Sequence, residues 1–370
     1  FISIGGWINA IIPILIVPYY SVIGGWVIKY LIEYFAGHSK TLAGDAYFTT
    51  FISNGWSTEI CFIIFTLFTL GIIYAGVRNG IERVSKFMMP ILIVLSLIIA
   101  VYSVTRPGAI EGVKYFLVPN FDHFSWMTVV SAMGQMFYSL SIAMGILITF
   151  GSYMKKDTSI EKSTENVEIF DTAIAIMAGL MIIPAVFAFS GGNAETLKSG
   201  PALMFITIPK VFANMGFGTA IGVVFFLLVL FAAVTSSIAL PESAVSTFED
   251  ELHWSRKKST VFMGMVMLLL GTLSCLGYGP LANFKILGMQ FLDFFDFITN
   301  SVMMPIAAIA TCLLVSKVVG VDKIEEEIKK DGQAFRRKKI FCFMIKYLCP
   351  LFAAIILISS VANAFGIITM

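Results

Sequence analysis

The sequence predicts an all-α polytopic membrane protein with about nine transmembrane helices. Of its 370 residues, 58% are hydrophobic and only 13% are charged, and the mean hydropathy is +0.89. These values lie well outside the range of soluble globular domains. Apolar segments of ~18 or more residues recur along the chain, and such segments cross a bilayer as helices because only helices and closed barrels satisfy the backbone there.

The predicted spans follow one another without a linker or a low-complexity tract, so residues 1–370 are interpreted as a single membrane domain. The spans cover residues 3–34, 58–76, 86–103, 126–153, 169–190, 218–247, 260–277, 288–316 and 340–367. The chain begins at Phe1 inside an apolar run that no signal peptide precedes. This start predicts a domain that is incomplete at its N-terminus.

The Lys and Arg residues of the connecting segments predict the orientation of the chain. They concentrate in every second loop, as Arg78, Arg83 and Lys86, then Lys155, Lys156 and Lys162, then Arg256, Lys257 and Lys258, then the cations of residues 317–339. Loops rich in Lys and Arg lie on the cytoplasmic side. We therefore expect a plasma-membrane protein with the N-terminal end of this chain in the cytoplasm and its C-terminus outside.

The composition also excludes several classes of function. The net charge is only +2, and the cations lie in loops that determine topology rather than in a patch that binds nucleic acid. The cysteines and histidines lack metal-ligand spacing; they are Cys61, Cys275, Cys312, Cys342, Cys349, His38, His123 and His253. We expect neither a nucleic-acid partner nor a metalloenzyme.

Two segments do not fit a simple span. Residues 126–153 would form an unbroken helix of ~42 Å, whereas the hydrocarbon core is ~30 Å thick. The segment is either a tilted helix or a helix that breaks near Ser139, Ser141 and Gly145, where freed carbonyls can bind cations. Residues 191–217 are too long and too apolar for a turn, and form either an extracellular capping hairpin or an amphipathic surface helix.

Three hydroxyl residues interrupt the apolar run AAVTSSIALPES at residues 232–243. Ala232, Thr235, Ser236, Ala239 and Ser243 share one stripe of a helix. Either Thr235, Ser236 and the Ala232 carbonyl bind a hard cation such as sodium, or the hydroxyls bond to the preceding turn and join two helices. Taken alone, the triplet favours the second interpretation.

Ionisable and phenolic side chains inside spans are further candidates, since a charge at the bilayer centre costs roughly 3 kcal/mol or more. Asp171 opens the fifth span and Glu242 lies near the inner end of the sixth. Each is either functional or snorkels to the interface. Asp293 and Asp296 lie three residues apart in the eighth span, toward its outer side. Tyr20 either binds an anionic ligand group or bonds to a carbonyl.

Five motifs link these isolated features. They are VPYYSVIGGWVIKYL, GQMFYSLSIAMGILITFGSYM, PALMFITIPKVF, FAAVTSSIAL followed by FEDEL, and FLDFFDF. Their residues and their order resemble the neurotransmitter:sodium symporter family, in its bacterial branch of sodium-dependent amino-acid transporters. The resemblance spans almost the whole chain. It implies the 5+5 inverted-repeat fold of the leucine-transporter type, with this chain running from the family's third helix to its eleventh and lacking the first two.

The resemblance implies one substrate site and two sodium sites. The substrate-binding residues it implies are Tyr20, Tyr138, Ser139, Ser141, Met144, Ser236 and Leu240, with the Tyr20 hydroxyl on the substrate carboxylate. The sodium ligands it implies are Ser139 for the first ion and Ala232, Thr235 and Ser236 for the second. A gapless match places Phe170 where the family has an asparagine ligand, and we hypothesise that the adjacent Asp171 is the carboxylate that replaces chloride.

The resemblance also implies two gates. Asp296 corresponds to the acid of the outer gate, with Gln135 nearby, while Tyr153 and Asp250 correspond to parts of the inner gate. In the family, the cationic partners of the two acids belong to the first helix and the tail before it. On this interpretation, the present chain holds one half of each gate.

The function that the resemblance implies is sodium-coupled symport of an amino acid or related small zwitterion by alternating access, without enzymatic chemistry. It implies sodium ions but no organic cofactor, a surrounding lipid bilayer, and room for a homodimer. One alternative is a truncated or degenerate member without transport of its own. Another is a permease or channel of the same fold with a different coupling ion. Proton-coupled relatives commonly place a cation at the second sodium site, and no Lys or Arg occupies that region here.

Overall fold

The computed structural model describes residues 2–330 and 334–366. We number its principal helices in chain order as α1 (Ile2–Phe35), α2 (Gly55–Tyr74), α3 (Val77–Val104), α4 (Trp126–Ser139), α5 (Ile146–Ser152), α6 (Ile160–Ser190), α7 (Gly200–Ala213), α8 (Gly218–Leu252), α9 (Arg256–Leu276), α10 (Phe291–Val319) and α11 (Lys338–Ala364). Short helices in the connections are Ser39–Leu42, Tyr47–Ser53, Ala109–Leu117 and Val321–Lys329.

Eight of these helices, all except α4, α5 and α7, are long and apolar enough to cross a membrane. The one remaining predicted crossing, residues 126–153, is divided between α4 and α5. Between them Ser141, Ala143 and Gly145 have φ values of 52°, 60° and 73°. Side chains disfavour this left-handed region, so the segment cannot continue the helix. The predicted break is confirmed, and the tilted unbroken helix is wrong.

Helix α6 is longer than the predicted span of residues 169–190. It begins at Ile160, where the Ser159 hydroxyl accepts a hydrogen bond from the Lys162 backbone N–H. The added turns are polar, and their carboxylates reach the loop before α11, where Arg337 pairs with two of them. Hydropathy marks where a helix becomes apolar, whereas its cap marks where it begins. The predicted start was therefore wrong by nine residues.

The other predicted spans correspond to helices whose ends differ by five residues at most, except that α3 begins at Val77, nine residues before its predicted start. Helix α10 contains two π-helical segments, Phe297–Met303 and Leu314–Val319, which the hydrophobic pattern did not indicate. The last predicted span, 340–367, corresponds to α11, and residue 367 lies outside the described residues. Phe1 lies outside them as well.

Helix α1 packs against α2, α8, α9 and α10. Its glycine pair brings it close to α2, since a Cβ on Gly25 would lie 2.7 Å from the Phe62 backbone nitrogen. Beyond this contact Trp26 and Tyr30 join an aromatic cluster with Phe205 of α7. Small residues of this kind let helices pack closely in a membrane, where lipid gives little hydrophobic driving force.

Residues 191–217 fold back onto the helical bundle. The Tyr30 hydroxyl donates to the Phe205 carbonyl at 2.8 Å, and Phe205 and Phe212 are buried. The segment is therefore packed on both α1 and α8 rather than lying free on the surface. Its extracellular capping role stays a prediction.

We predict that Gly25→Ala destabilises the protein by roughly 1–3 kcal/mol, because the added methyl group meets the backbone of α2 and the helices must separate. Thermal unfolding in detergent measures the effect. Gly71→Ala is the matched control, since its added Cβ meets nothing within 4 Å. Equal melting temperatures for the two variants would contradict the close α1–α2 packing.

Candidate functional site

A cavity of about 450 Å³ lies where the break between α4 and α5 faces α1 and α8. Its lining residues are Ile16, Tyr20, Met89, Gln135, Tyr138, Ser139, Ser141, Met144, Ile146, Thr235, Ser236, Ala239 and Leu240. The volume suits a small organic molecule. None of the lining residues carries a carboxylate, an amine or a guanidinium group.

The cavity brings together most of the residues singled out from the sequence. These are Tyr20, Gln135, Tyr138, Ser139, Ser141, Met144, Thr235, Ser236 and Leu240. The sequence places them in three separate spans, and the fold joins them. Ala232, Tyr153, Asp171, Asp250 and Asp296 lie outside the cavity lining.

Hydroxyl groups from α1, from the broken helix and from α8 line the cavity. The Tyr20 hydroxyl of α1 lies beside the Ser236 hydroxyl of α8. Thr235 Oγ1 donates within its own helix to the Phe231 and Ala232 carbonyls, each at 3.0 Å. A hydroxyl that donates its proton keeps its lone pairs. Back-bonding thus does not prevent Thr235 from acting as an oxygen ligand.

Ser237 differs from its two neighbours. It is fully buried, its Oγ lies 2.9 Å from Thr69 Oγ1 of α2, and it also donates to the Val234 carbonyl. This hydroxyl joins two helices and lies away from the cavity. The triplet therefore divides into two residues that line the cavity and one that has a packing role.

Asp171 approaches the broken helix from α6. The Ser139 hydroxyl donates to Asp171 Oδ1 at 2.5 Å. Phe170, which the gapless match placed at an ion-ligand position, is 61% exposed. The carboxylate rather than the neighbouring ring therefore faces Ser139, and it brings a negative charge to the edge of an otherwise uncharged cavity.

Asp296 lies on α10, next to α1. Its Oδ1 accepts hydrogen bonds from the Tyr19 hydroxyl at 3.1 Å and from Asn300 Nδ2 at 2.6 Å. Gln135, predicted nearby, lines the cavity. Tyr19 neighbours the predicted Tyr20, but successive residues of a helix point in different directions, and only Tyr20 lines the cavity.

A buried ion pair lies at the predicted cytoplasmic end. Glu242 is fully buried, and Arg256 of α9 reaches its two oxygens at 2.5 and 3.1 Å. The Tyr153 hydroxyl donates to Glu242 at 2.7 Å, and Arg256 also donates to the Ile73 carbonyl of α2. The snorkelling interpretation of Glu242 is therefore wrong. Asp250, predicted as part of this gate, is exposed.

Four lining residues were absent from the sequence-based site, namely Ile16, Met89, Ile146 and Ala239. Ile16 precedes Tyr20 by one helical turn, so its spacing was an available signal. Ala239 lies on the stripe of Thr235 and Ser236. Met89 had no such signal, because nothing in the apolar run of α3 distinguishes the side that faces the cavity.

The sequence profile described as the sodium:neurotransmitter symporter family matches residues 38–367. The chain belongs to this family. Its members are transporters rather than enzymes, and the membrane-spanning helices fit a multi-pass membrane protein. The resemblance inferred from the five motifs is confirmed.

Individual relatives agree with this assignment. The chain is 32% identical over 367 residues to the uncharacterized sodium-dependent transporter YhdH of Bacillus subtilis (strain 168), covering 98% of this chain and 80% of that protein. It is 30% identical over 356 residues to an uncharacterized sodium-dependent transporter of Haemophilus influenzae, covering 93% and 76%.

A solved structure shows the same fold. The crystal structure of MhsT in complex with L-phenylalanine matches with a TM-score of 0.84 at 32% sequence identity, covering 97% of this chain and 81% of that chain. The predicted all-α, leucine-transporter-like fold is confirmed by this match. A sodium-dependent transporter family implies the use of sodium ions.

Proposed function

We propose that this protein is a sodium-coupled symporter of an amino acid with a large apolar side chain. The single observation that carries the proposal is the cavity at the broken helix, whose lining combines hydroxyl groups with apolar side chains. A zwitterion needs the hydroxyl groups for its charged end, and its side chain needs the apolar surface.

The hydroxyl groups of the lining fit both the amino-acid backbone and the ions. Tyr20 is suited to donate to the substrate carboxylate, because its hydroxyl is held at the cavity beside Ser236. Thr235, Ser236 and the Ala232 carbonyl are hard oxygen ligands of the kind that sodium prefers, and we assign them to one ion. No Lys or Arg lines the described cavity, which favours sodium over a site that holds a fixed cation.

The apolar side chains of the lining determine which substrate side chain is accepted. Ile16, Met144 and Leu240 line the cavity together with the ring of Tyr138. A large aliphatic or aromatic side chain would bury its surface against them, whereas a charged one would lose its hydration without a partner. The bound L-phenylalanine of the similar MhsT structure is consistent with such a substrate.

Coupling arises from differential binding to two conformations. Sodium and substrate that bind the outward-open state more tightly shift the population and allow closure of the outer gate at Asp296 and Gln135. Opening of the inner gate, which includes Tyr153 and Asp250, then releases both to the cytoplasm. Bound sodium raises the affinity for the substrate, and bound substrate raises the affinity for sodium by the same factor.

Binding of radiolabelled amino acids to the purified protein tests this function. We expect binding of phenylalanine, leucine or methionine with sodium present and none when choline replaces it. Glutamate and lysine are expected not to compete. Binding that is equally strong with and without sodium would overturn the proposal.

We assign Asp171 as the charge beside the first sodium ion, which Ser139 would bind. A carboxylate about 4 Å from a cation contributes up to about 4 kcal/mol at an effective dielectric constant near 20. Asp171→Asn should therefore weaken sodium-dependent uptake at least tenfold, about 1.4 kcal/mol, unless chloride is supplied. Glu168→Gln, on the same helix but paired with Arg337, is the control. Undiminished, chloride-independent uptake by Asp171→Asn would contradict the assignment.

A further inference from the structure

Both hydrogen bonds that Asp296 accepts from side chains fall on the same carboxylate oxygen. The Tyr19 hydroxyl and Asn300 Nδ2 donate to Oδ1, at 3.1 and 2.6 Å. Among the described residues, Oδ2 accepts no hydrogen bond from a side chain. Two donors on one oxygen fix the rotation of a carboxylate and leave the other oxygen facing away from them.

Asn300 reaches this position through the local geometry of α10. It follows Asp296 by four residues, in the π-helical segment Phe297–Met303, and its Nδ2 reaches the Asp296 carboxylate across that turn. Its Nδ2 also lies 3.4 Å from the Tyr19 hydroxyl oxygen. Tyr19 itself is only 2% exposed, so it is a fixed element of the α1 surface.

The orientation of the Asn300 carboxamide follows from its neighbours. Rotating it by half a turn would place its carbonyl oxygen against the carboxylate, and two acceptors repel. In the observed orientation Oδ1 of Asn300 is buried without a hydrogen-bond partner among the described residues. A buried unpaired carbonyl reduces stability. The Asn300 carboxamide therefore donates to Asp296 at the cost of leaving its own carbonyl oxygen without a hydrogen bond. This arrangement indicates a role beyond packing.

We propose that Asn300, supported by Tyr19, is the positioning residue of the outer gate. It holds the Asp296 carboxylate in one rotamer and presents Oδ2 to the cationic group that completes the closed gate. The inference rests on the proposed transport function. It adds a residue that hydropathy and motifs did not indicate.

Loss of the Asn300 hydrogen bond should change the populations of the open and closed outer gate rather than the fold. Without Asn300 the carboxylate keeps one donor and rotates more freely, so the closed outer gate loses stability relative to the open one. Bound substrate then escapes outward more often before the inner side opens. The turnover number falls, while the half-saturating sodium concentration stays unchanged or decreases because the open state binds sodium directly.

The experiment compares Asn300→Ala with the intact transporter in proteoliposomes. We expect at least fivefold faster dissociation of labelled substrate to the outside and at least a fivefold lower turnover number, without an increase in the half-saturating sodium concentration. Tyr19→Phe should change the same quantities in the same direction. Asn300→Gln keeps an amide donor, so its dissociation rate and turnover number should lie between those of Asn300→Ala and the unmodified protein. Ser301→Ala, in the same π-helical segment but without a bond to Asp296, should match the unmodified protein.

The outcomes separate this inference from the proposed function. If the unmodified protein binds no amino acid with sodium, the proposed function fails. If it binds and Asn300→Ala shows unchanged dissociation and turnover, the positioning role is overturned. If Asn300→Ala does not fold, the dissociation rate of Tyr19→Phe is the test. Faster dissociation supports the positioning role, and an unchanged rate overturns it.

Discussion

Replacing Arg256 with methionine is expected to lower the free energy of unfolding by about 3–5 kcal/mol. Glu242 is fully buried, and Arg256 is its cationic partner, at 2.5 Å. Removing the guanidinium leaves a carboxylate in a low-dielectric interior, with the Tyr153 hydroxyl as its one remaining side-chain donor among the described residues. The same change frees the Ile73 carbonyl at the end of α2. Thermal and denaturant unfolding in detergent measure the loss.

Two further variants make this prediction specific. Adding Glu242→Gln to Arg256→Met removes the uncompensated charge and should recover part of the stability. Lys257→Met on the same turn of α9 removes a cation that lies 6.0 Å from the Tyr74 ring, so we expect little change. An Arg256→Met protein as stable as Lys257→Met would contradict the buried ion pair.

Thr235→Val and Ser236→Ala are each expected to raise the half-saturating sodium concentration at least tenfold, about 1.4 kcal/mol. Each removes an oxygen from the cavity wall with little change in volume. Sodium titration of labelled-substrate binding measures the shift. Because sodium and substrate binding are linked, the substrate affinity at a fixed sodium concentration should fall as well.

Ser237→Ala provides the matched control for these two variants. It removes the adjacent hydroxyl, which bonds to Thr69 and lies away from the cavity. We expect it to cost about 1 kcal/mol of stability, because Thr69 loses a buried partner, and to leave the sodium titration within twofold. Equal sodium shifts for all three variants would show that the triplet acts through packing alone.

The spans of this protein were predictable because a bilayer imposes a length and a composition on every crossing helix. The break at residues 140–145 was one of two alternatives, since the length of residues 126–153 also allowed a tilted unbroken helix, and Ser139, Ser141 and Gly145 marked where a break would lie. The start of α6 at Ile160 was not predictable, because its first turns are polar and carry no hydropathy signal. The π-helical segments of α10 also left no mark in the periodicity, since one extra residue per turn barely shifts an apolar run.

The residues of the candidate site could be assigned from the sequence where they belong to a motif. Their hydrogen-bond and ion-pair partners could not, because the tertiary structure determines them. Tyr20 and Ser236 were assigned from separate motifs, and the fold places their hydroxyls side by side. Glu242 was noted as an ionisable residue, yet its partner Arg256 was interpreted only as a topology signal. Asn300 was not noted at all, because a single asparagine outside a motif does not distinguish a functional role from a structural one.

The proposed coupling is tested most directly by accumulation of substrate against its own gradient. Proteoliposomes that contain the intact transporter would receive an inward sodium gradient as the sole driving force and a labelled apolar amino acid at equal concentrations on both sides. We predict that the internal concentration rises above the external one and returns to equality when a sodium ionophore is added. Simple equilibration, or accumulation that persists after the sodium gradient is abolished, would contradict sodium-coupled symport.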